Sequence, residues 1–520
     1  MRAQWKWKRN VVTVLGISFA LAVLVRLPAF QQRSWWIDEL ITAQVATRPL
    51  VGPDLWDPTR KPAESLIGFT IQDTGPGPLA YLMEGLFAKM TKPGGGEFWL
   101  RLPGVVAALF FVALTYAFGK SWWGSRRAAA TMALLAAAFP PYVDFSMGAR
   151  GYAWTALLLL VQWHALWKLA CKPAARSSKC WSPLGALTLT TVLSFYFTPI
   201  NLVWCAPAWL AALSLSSRLD ALRRPAARKW MLGHLLVAGL LIVPYLVAWI
   251  SRIAAKATPG GEVSVSRALL RLRDFANEIS HEPWFAILIC LPPVTLTVVS
   301  ISRLRHRQPE RTLIFMGWGT MFGGGILSAA LLTTFFLAPR YLVGFSIPLL
   351  WSCGVLLQRA LALLRQRWGP TVVASAWLGT SAIIAALELP SAVYYARTPV
   401  HDWLSAVKWV SARIGHTDIV FCGPNADIEV LWAYSKVFHW DHQVPRWLIL
   451  ENGRKVDSST TEALRLALSS NRRLWYITPF FGQVRPQEYW NLLRQHFREV
   501  ARFPGRGDIH VLLHEPAGSQ

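Results

Sequence analysis

The stretch Trp35-Trp36-Ile37-Asp38-Glu39 comes directly after an apolar run, Val11 to Phe30, and it sets the interpretation of the whole chain. An apolar run of about 20 residues is long enough to cross a membrane as a helix. Paired tryptophans are typical of the lipid headgroup level, where their amphipathic rings settle. Ionised carboxylates so close to lipid are costly and usually have a function. The stretch therefore predicts a functional site at the membrane–water boundary, built on Asp38 and Glu39.

Composition places the chain among membrane proteins. Hydrophobic residues make up 53% of its 520 residues and charged residues only 16%. Apolar runs of membrane-spanning length recur through the first three quarters of the sequence. The net charge of +25 does not indicate nucleic-acid binding, because the excess Lys and Arg stand in short loops between apolar runs. In such loops they are better explained as anchors on the cytoplasmic side of a bilayer.

Basic residues occupy every alternate connection between the apolar runs, and this regularity predicts the topology. It favours an α-helical polytopic membrane protein with about eleven transmembrane helices, a cytoplasmic N-terminus and an extracytoplasmic C-terminus. We expect a transmembrane domain over residues 1–395. Within it, residues 31–98 form a first extracytoplasmic loop, in which Leu79–Met90 is predicted to be an interfacial helix. Residues 396–520 are predicted to form a C-terminal extracytoplasmic domain, periplasmic if the membrane is a bacterial inner membrane.

The C-terminal domain has the pattern of a small α/β fold of about 120 residues, an ordinary domain size. Apolar spacing typical of helices alternates with short apolar runs typical of buried strands. The predicted elements are, in order, a helix at Trp403–Ile414, strands at Asp418–Cys422 and Arg473–Ile477, a helix at Glu488–Val500 and a strand at Ile509–Leu513.

Arginines at the predicted outer ends of the spans are candidates for binding a phosphate. A planar guanidinium holds phosphate through two parallel hydrogen bonds, which suits Arg101, Arg150 and Arg340. Each of them also fits a simpler role as an anchor that extends its charge to the interface. Arg150 is the preferred candidate, because its loop is too short to need an anchor. Tyr152 and Tyr341 fit either a phosphate hydrogen bond or an ordinary position at the membrane surface.

The acidic residues of the first loop leave several roles open. Glu39 follows Asp38 by about 100° of helical rotation, so the two carboxylates face different ways. Glu39 fits a role in orienting an acceptor, in pairing with an arginine or in assisting a cation. Asp73 fits either binding to sugar hydroxyls or shaping of its Gly- and Pro-rich turn. The simplest alternative for the Asp-Glu pair is an interfacial helix cap without chemistry.

Five short elements stand in an order that resembles one known group of enzymes. Over about its first 400 residues the chain resembles the GT-C membrane glycosyltransferases, in the group related to protein O-mannosyltransferases and lipid A aminoarabinose transferases (glycosyltransferase family 39-like). The elements are Asp38-Glu39, Asp73-Thr74-Gly75-Pro76-Gly77-Pro78-Leu79-Ala80-Tyr81, Arg101-Leu102-Pro103, Ala149-Arg150-Gly151-Tyr152 and Pro339-Arg340-Tyr341. Pro76 stands where many relatives have His, which disfavours a required metal ion. The six cysteines show no CxxC pair and predict no metal site either. No cofactor is predicted, and a divalent metal ion is left open.

The resemblance implies a GT-C fold and an inverting glycosyltransferase. Such an enzyme moves one monosaccharide from a polyprenyl-phosphate carrier to a lipid, glycan or protein of the cell envelope, at the outer face of the inner membrane. It implies that Asp38 is the catalytic base with Glu39 beside it. The residues it assigns to the donor and its phosphate are Arg101, Arg150, Arg340, Tyr152, Tyr341 and Asp73.

Two other classes of protein fit the same topology. A transporter or flippase of a lipid-linked saccharide is disfavoured by the lack of a clear internal repeat and by candidate residues that lie at outer span ends rather than in mid-span. A non-catalytic membrane scaffold that presents the C-terminal domain would tolerate substitution of Asp38 and Arg150. The two classes are distinguished from an enzyme by experiment.

Overall fold

A computed structural model of the chain describes most of the residues of its helices and the strands of its C-terminal sheet. The described residues are 2–32, 37–51, 65–73, 76–90, 97–148, 150–171, 181–219, 222–256, 283–302, 307–334, 339–397, 402–422, 446–449, 469, 472–479, 495, 497–503 and 509–516. They divide into two compact units. The first contains residues 1–26, 48–83 and 102–393, and the second contains residues 27–47, 84–101 and 394–520.

Helices account for nearly all of the described chain before residue 397. They are α1 (Arg2–Gln32), α2 (Ile37–Val45), α3 (Leu66–Asp73), α4 (Pro78–Ala88), α5 (Glu97–Trp123), α6 (Arg126–Ala138), α7 (Pro140–Met147), α8 (Tyr152–Cys171), α9 (Trp181–Phe197), α10 (Leu202–Ser214), α11 (Pro225–Lys256), α12 (Pro283–Ser302), α13 (Gln308–Thr334) and α14 (Ser346–Arg397). Short 3₁₀ helices cover Pro199–Asn201 and Pro339–Phe345.

Four helices among the described residues are long and apolar enough to cross a membrane. They cover Phe98–Trp123, Pro225–Ser251, Gln308–Ala329 and Leu342–Pro390. A fifth span is possible if α6 and α7, which are bent by 52° at Phe139, count together as one broken helix. An α-helical multi-pass membrane protein is therefore confirmed.

The predicted spans coincide with these helices over their described residues, although the number that cross the bilayer stays a prediction. The predicted third span, which ends at about Phe145, coincides with the bent pair of α6 and α7. The predicted tenth span ends near Arg365 and Arg367, and the eleventh covers about residues 371–394. Both lie on α14, which is interrupted at Gly369 by a backbone with φ of 80° and ψ of 178°. Glycine adopts this conformation without the steric cost that other residues meet. The predicted interfacial helix at Leu79–Met90 is also a helix, α4, and its position at the interface stays a prediction.

Small residues let the helices of the first unit approach each other closely. A Cβ atom added to Gly324 of α13 would lie 2.6 Å from the indole ring of Trp204 in α10. The ring of Trp204 also packs edge-on against Phe345, at 5.3 Å between centroids. Such contacts are typical of membrane helices, which associate through tight van der Waals packing rather than through the hydrophobic effect.

The C-terminal part of the second unit is a helix, α15 (Trp403–Ser411), and a five-stranded mixed sheet. The strands are β1 (Ile419–Cys422), β2 (Arg446–Ile449), β3 (Leu474–Pro479), β4 (Phe497–Arg502) and β5 (Ile509–Pro516), in the order β2-β1-β3-β5-β4. β1 pairs with β2 and β3 in parallel, and β5 pairs with β3 and β4 in antiparallel fashion. A small α/β fold after the membrane helices is confirmed, while the domain boundary at residue 396 stays a prediction.

The strand predictions hold at three positions, and one helix prediction is wrong at its C-terminal end. β1, β3 and β5 lie where buried strands were predicted, and α15 lies within the predicted helix. The predicted helix at Glu488–Val500 is wrong from Phe497 onward, because those residues form β4, whereas the described residue Gln495 is helical. β4 takes its conformation from antiparallel pairing with β5, with Phe497 opposite Pro516, so a tertiary partner overrides the local pattern. Residues 488–494 lie outside the described residues.

A histidine on β5 makes the stability of this sheet depend on pH. His514 is 4% exposed and lies opposite Glu499 of β4. Burial lowers the pKa of His514, with Arg502 adding to the shift and Glu499 opposing it. The unfolded chain takes up a proton near the ordinary pKa of about 6.5, whereas the folded sheet holds the imidazole neutral. The stability that this provides is present above pH 6.5 and is lost as the pH falls below it.

We therefore expect the β5 amides to exchange hydrogen faster at pH 5 than at pH 7.5, after correction for the intrinsic exchange rates. His514→Leu should remove most of this difference. His416→Leu, which replaces an exposed histidine of the same unit, is the matched control and should leave the difference intact. Equal pH dependence in the wild type and His514→Leu would contradict the assignment.

Candidate functional site

The Asp-Glu pair lies on a short helix, α2, that is fixed on two sides. Leu40 of α2 is 6% exposed and belongs to the apolar core formed by α15 and the sheet, together with Trp403, Val420 and Trp475. After the helix ends, the backbone of Ala46 passes close to α4, where a Cβ atom added to Gly85 would lie 2.6 Å from the Ala46 carbonyl oxygen. These contacts hold α2 in place within the second unit.

Glu39 is paired with Arg101 in a buried ion pair. Arg101 donates from Nε to Glu39 Oε1 at 2.9 Å and from Nη2 to Glu39 Oε2 at 2.6 Å. The two residues are 2% and 1% exposed, and both belong to the second unit. Two parallel hydrogen bonds between charged groups are the strongest geometry available to this pair. Of the three roles open to Glu39, the structure supports pairing with an arginine.

The ion pair bears on the proposed roles of Arg101 and Asp38. The fork of Arg101 is directed at a carboxylate, which is the geometry that would otherwise bind phosphate. Asp38 precedes Glu39 on the same helix, about 100° away around its axis. The side chain of Asp38 lies outside the described residues. Pairing of Glu39 with Arg101 fixes the helix on which Asp38 stands.

Arg150 lies in a packed turn between α7 and α8 in the first unit. Arg150 is only 8% exposed, whereas an arginine that anchors a span end would extend its side chain into the interface. The next residue, Gly151, has φ of 72°, and a Cβ atom there would lie 2.8 Å from the ring of Phe197 and 3.2 Å from Ala80. Only glycine meets both requirements without strain. Tyr152, which begins α8, is 6% exposed.

The turn around Arg150 and the second of the five sequence elements, residues 73–81, meet at the C-terminal end of α9. Gly77 donates its backbone N–H to the carbonyl oxygen of Phe197 at 2.8 Å. Phe197 also stacks on Trp154 of α8, at 5.8 Å between ring centroids. Residues that are separated in sequence, Gly77 and Gly151, thus contact the same residue of α9. The structure brings together two of the five sequence elements at this point.

For three further candidate donor-binding residues, the structure describes only the backbone. Asp73 is the last residue of α3, and Arg340 and Tyr341 lie in the 3₁₀ helix Pro339–Phe345. Their side chains lie outside the described residues. Asp73, Arg150, Tyr152, Arg340 and Tyr341 belong to the first unit, whereas Asp38, Glu39 and Arg101 belong to the second.

No metal-binding cluster is present in the described part of the chain. No three His, Cys, Asp or Glu residues there lie close enough together to hold one ion. Carboxylate oxygens suit Mg²⁺ and Ca²⁺, and imidazoles suit transition metals. The described carboxylate of the Asp-Glu element, Glu39, is instead bound to Arg101.

Arg26 is a structural residue that sequence analysis missed. It lies within α1, is fully buried, and donates from Nε to Ser146 Oγ at 2.7 Å. Its Nη atoms donate to the carbonyl oxygens of Ala22, Ala137 and Tyr142, at 2.9, 3.2 and 3.2 Å. Arg26 thereby ties α1 to both sides of the bend between α6 and α7. The available signal was a single arginine inside the apolar run Val11–Phe30, where a charge is expensive.

Arg26→Met is expected to lower the free energy of unfolding by about 3 kcal/mol or more. It removes several hydrogen bonds from a charged donor, each worth about 1.5–3 kcal/mol, and leaves Ser146 and the carbonyl of Ala137 without their donor. The measurement is the thermal unfolding midpoint of the full chain in nanodiscs. Arg367→Met removes an exposed arginine of the same unit and should leave the midpoint within one degree or so of the wild type, as about 0 kcal/mol is expected there. Equal midpoints for the two variants would contradict the role of Arg26.

Comparison with known proteins gives structural neighbours of low similarity. No protein-family model matches the chain, and no curated protein matches its sequence. Two solved structures are of ArnT from Cupriavidus metallidurans. The apo state is 13% identical with a TM-score of 0.49, covering 98% of both chains. The state bound to undecaprenyl phosphate is 14% identical with a TM-score of 0.45, covering 96% of this chain and 98% of that one.

A third similar structure is the arabinosyltransferase EmbB from Mycobacterium smegmatis. It is 13% identical with a TM-score of 0.45, and the match covers 97% of this chain and 46% of that one.

Proposed function

We propose that this chain is an inverting glycosyltransferase of the GT-C type, which moves one monosaccharide from a polyprenyl-phosphate carrier to a cell-envelope acceptor. The observation that carries the proposal is the buried pair of Glu39 and Arg101. The ion pair fixes the helix of the Asp-Glu element. Because it gives Glu39 a structural role, Asp38 is the carboxylate left to act as the catalytic base. The order of the five sequence elements supplies the reaction class.

Asp38 is the proposed base of a single displacement. It takes the proton of the acceptor hydroxyl or amine as the acceptor atom bonds to the anomeric carbon of the sugar. The bond from that carbon to the phosphate oxygen breaks, and the polyprenyl phosphate leaves with its electron pair. The phosphate is a good leaving group and needs no proton from an acid. One base on the side opposite the leaving group is therefore enough for inversion.

Arg150 is the proposed anchor of the donor phosphate. Its burial in a packed turn lowers the cost of ordering the side chain when the donor binds. Arg340, Tyr152, Tyr341 and Asp73 remain proposed donor-binding residues, and Arg101 contributes through Glu39. We place the reaction at the outer face of a bacterial inner membrane, with the N-terminus cytoplasmic and the C-terminal sheet periplasmic.

The buried arginine of α1 gives no support to a transport function. A substrate pathway through the membrane would be marked by ionisable residues that face a cavity between helices. Arg26, a charged residue deep in α1, is instead bound to Ser146 and to three carbonyl oxygens. Its contacts hold helices together.

The test uses the full chain in nanodiscs with a panel of radiolabelled polyprenyl-phosphate sugars and envelope extract as acceptor. Label that leaves one lipid donor and appears in the extract would establish the class and identify the sugar. A parallel assay in sealed vesicles follows movement of the labelled lipid between leaflets. Movement between leaflets without transfer of label would overturn the proposal in favour of a flippase. Neither transfer nor movement with any donor would favour a scaffold.

A further inference from the structure

A cluster of exposed basic residues lies at the start of α11, where the chain turns from α10. The segment from Arg218 to Lys229 contains five basic residues and one acidic residue, Asp220. All five basic residues are exposed: Arg218, Arg223, Arg224, Arg228 and Lys229. We call this segment the basic turn. Its charge of +4 lies within twelve residues.

Local contacts hold the described residues of the basic turn, 218–219 and 222–229. Two of them, Leu219 and Leu222, are fully buried. The N–H of Leu219 bonds to the carbonyl of Leu215 at 2.7 Å, and that of Leu222 bonds to Leu219 at 2.8 Å. Arg228 donates from Nε to the carbonyl oxygen of Leu222 at 3.1 Å. The five basic residues therefore lie in described backbone that these contacts support.

Beyond the basic turn, α11 carries an exposed apolar stripe at helical spacing. Its residues are between 51% and 66% exposed and follow one another by three or four positions: Leu232, Leu236, Leu240, Val243 and Val247. Arg228 precedes Leu232 by one turn and extends the same line, within about 120° of helix circumference from Arg228 to Val247. The opposite side of α11 packs on α9, where Tyr245 meets Phe195 edge-on at 5.7 Å. Only 22% of the apolar membrane-spanning stretch of α11 is buried within the protein.

We propose that the basic turn and the apolar stripe together bind an anionic phospholipid of the bilayer. The phosphodiester lies against Arg224, Arg228 and Lys229, and an acyl chain lies along the stripe. Charge complementarity decides the occupant, because a zwitterionic headgroup gains little from a net charge of +4, whereas an anionic headgroup gains about fivefold in affinity for each basic residue near it. Trp230, 47% exposed at the junction, is of the residue type that settles at headgroup depth.

Arg127, another basic residue of the first unit, differs from the residues of the basic turn because it packs against the protein. Arg127, at the start of α6, lies over the ring of Trp377 at 5.7 Å and is engaged within the protein. The five basic residues of the basic turn are exposed beside a helix whose outer face is apolar. This combination of charge and adjoining apolar surface matches a phospholipid, which is charged at one end and apolar along its length.

The experiment titrates the detergent-solubilised full chain with phosphatidylglycerol or phosphatidylcholine and counts bound lipids by native mass spectrometry. We expect phosphatidylglycerol to bind more tightly than phosphatidylcholine to the wild type, with an affinity that falls as salt rises. Arg224→Gln with Arg228→Gln should weaken phosphatidylglycerol about 30-fold, since two charges are lost. The matched control, Arg365→Gln with Arg367→Gln, removes two exposed arginines of α14 and should leave this affinity unchanged.

A charge-conserving pair, Arg224→Lys with Arg228→Lys, separates charge from structure. It keeps both charges but loses the bond from Arg228 Nε to Leu222, and it should retain most of the phosphatidylglycerol affinity. Equal weakening in the Arg365 and Arg367 control, or none in the Gln pair, would overturn the proposal. Displacement of phosphatidylglycerol by an equal concentration of undecaprenyl phosphate would overturn it in favour of a donor lipid. A dimer mass without bound lipid would assign the face to a second copy of the chain.

Discussion

Asp38→Asn is expected to slow sugar transfer by about 10²–10⁴-fold, the usual contribution of a positioned general base. Asparagine keeps the shape of the side chain but cannot take the proton of the acceptor. The measurement is single-turnover transfer of label from the donor found in the panel, at saturating donor in nanodiscs. Because only the proton acceptor is lost, the variant should still bind the donor with the affinity of the wild type.

The control for this variant is Asp57→Asn, which removes a carboxylate from the same predicted loop outside the five sequence elements. It should transfer sugar at the wild-type rate. An Asp38→Asn variant as fast as Asp57→Asn would remove Asp38 from the role of base while leaving the reaction class in place. Loss of donor binding together with loss of rate would show instead that the first loop is misfolded in the variant.

The helices of this chain could be predicted because their signal is local. A run of apolar residues of bilayer length forms a helix whatever surrounds it, since lipid offers no other partners for the backbone. β1 and β3, which are short apolar runs, are recognisable for a similar reason. β4 is different, because only one of its first four residues, Phe497, is buried and its partner β5 comes later in the chain. Strand character there depends on a tertiary contact that no local pattern contains.

The candidate site shows the same division between local and tertiary information. The Asp-Glu element and the arginines could be identified from their positions beside apolar runs. Which arginine pairs with Glu39 could not, because Arg101 is 62 residues away and several arginines were available. Apart from Ala22, the partners of Arg26 lie even further along the chain, and they are mainly backbone carbonyls, which have no sequence signature.

Arg101→Met is expected to lower the free energy of unfolding by about 3–5 kcal/mol, because it leaves Glu39 buried without its partner. The double variant Glu39→Met with Arg101→Met should recover most of this loss, since apolar residues of similar volume often replace a buried ion pair at little cost. The unfolding midpoints of the single and double variants in nanodiscs measure the coupling between the two residues. Arg502→Met breaks the surface pair with Glu499, whose side chains are 62% and 37% exposed, and should cost no more than about 1 kcal/mol.

Transfer kinetics of the double variant then separate the two roles open to Arg101. If Arg101 acts only through Glu39, the double variant is stable and transfers sugar with the donor KM of the wild type, because the helix of Asp38 is held again. If Arg101 also holds the donor phosphate, the double variant is equally stable but its donor KM rises, since Met cannot bind an anion. A double variant as unstable as Arg101→Met would show that the charges themselves hold α2, and apolar packing cannot replace them.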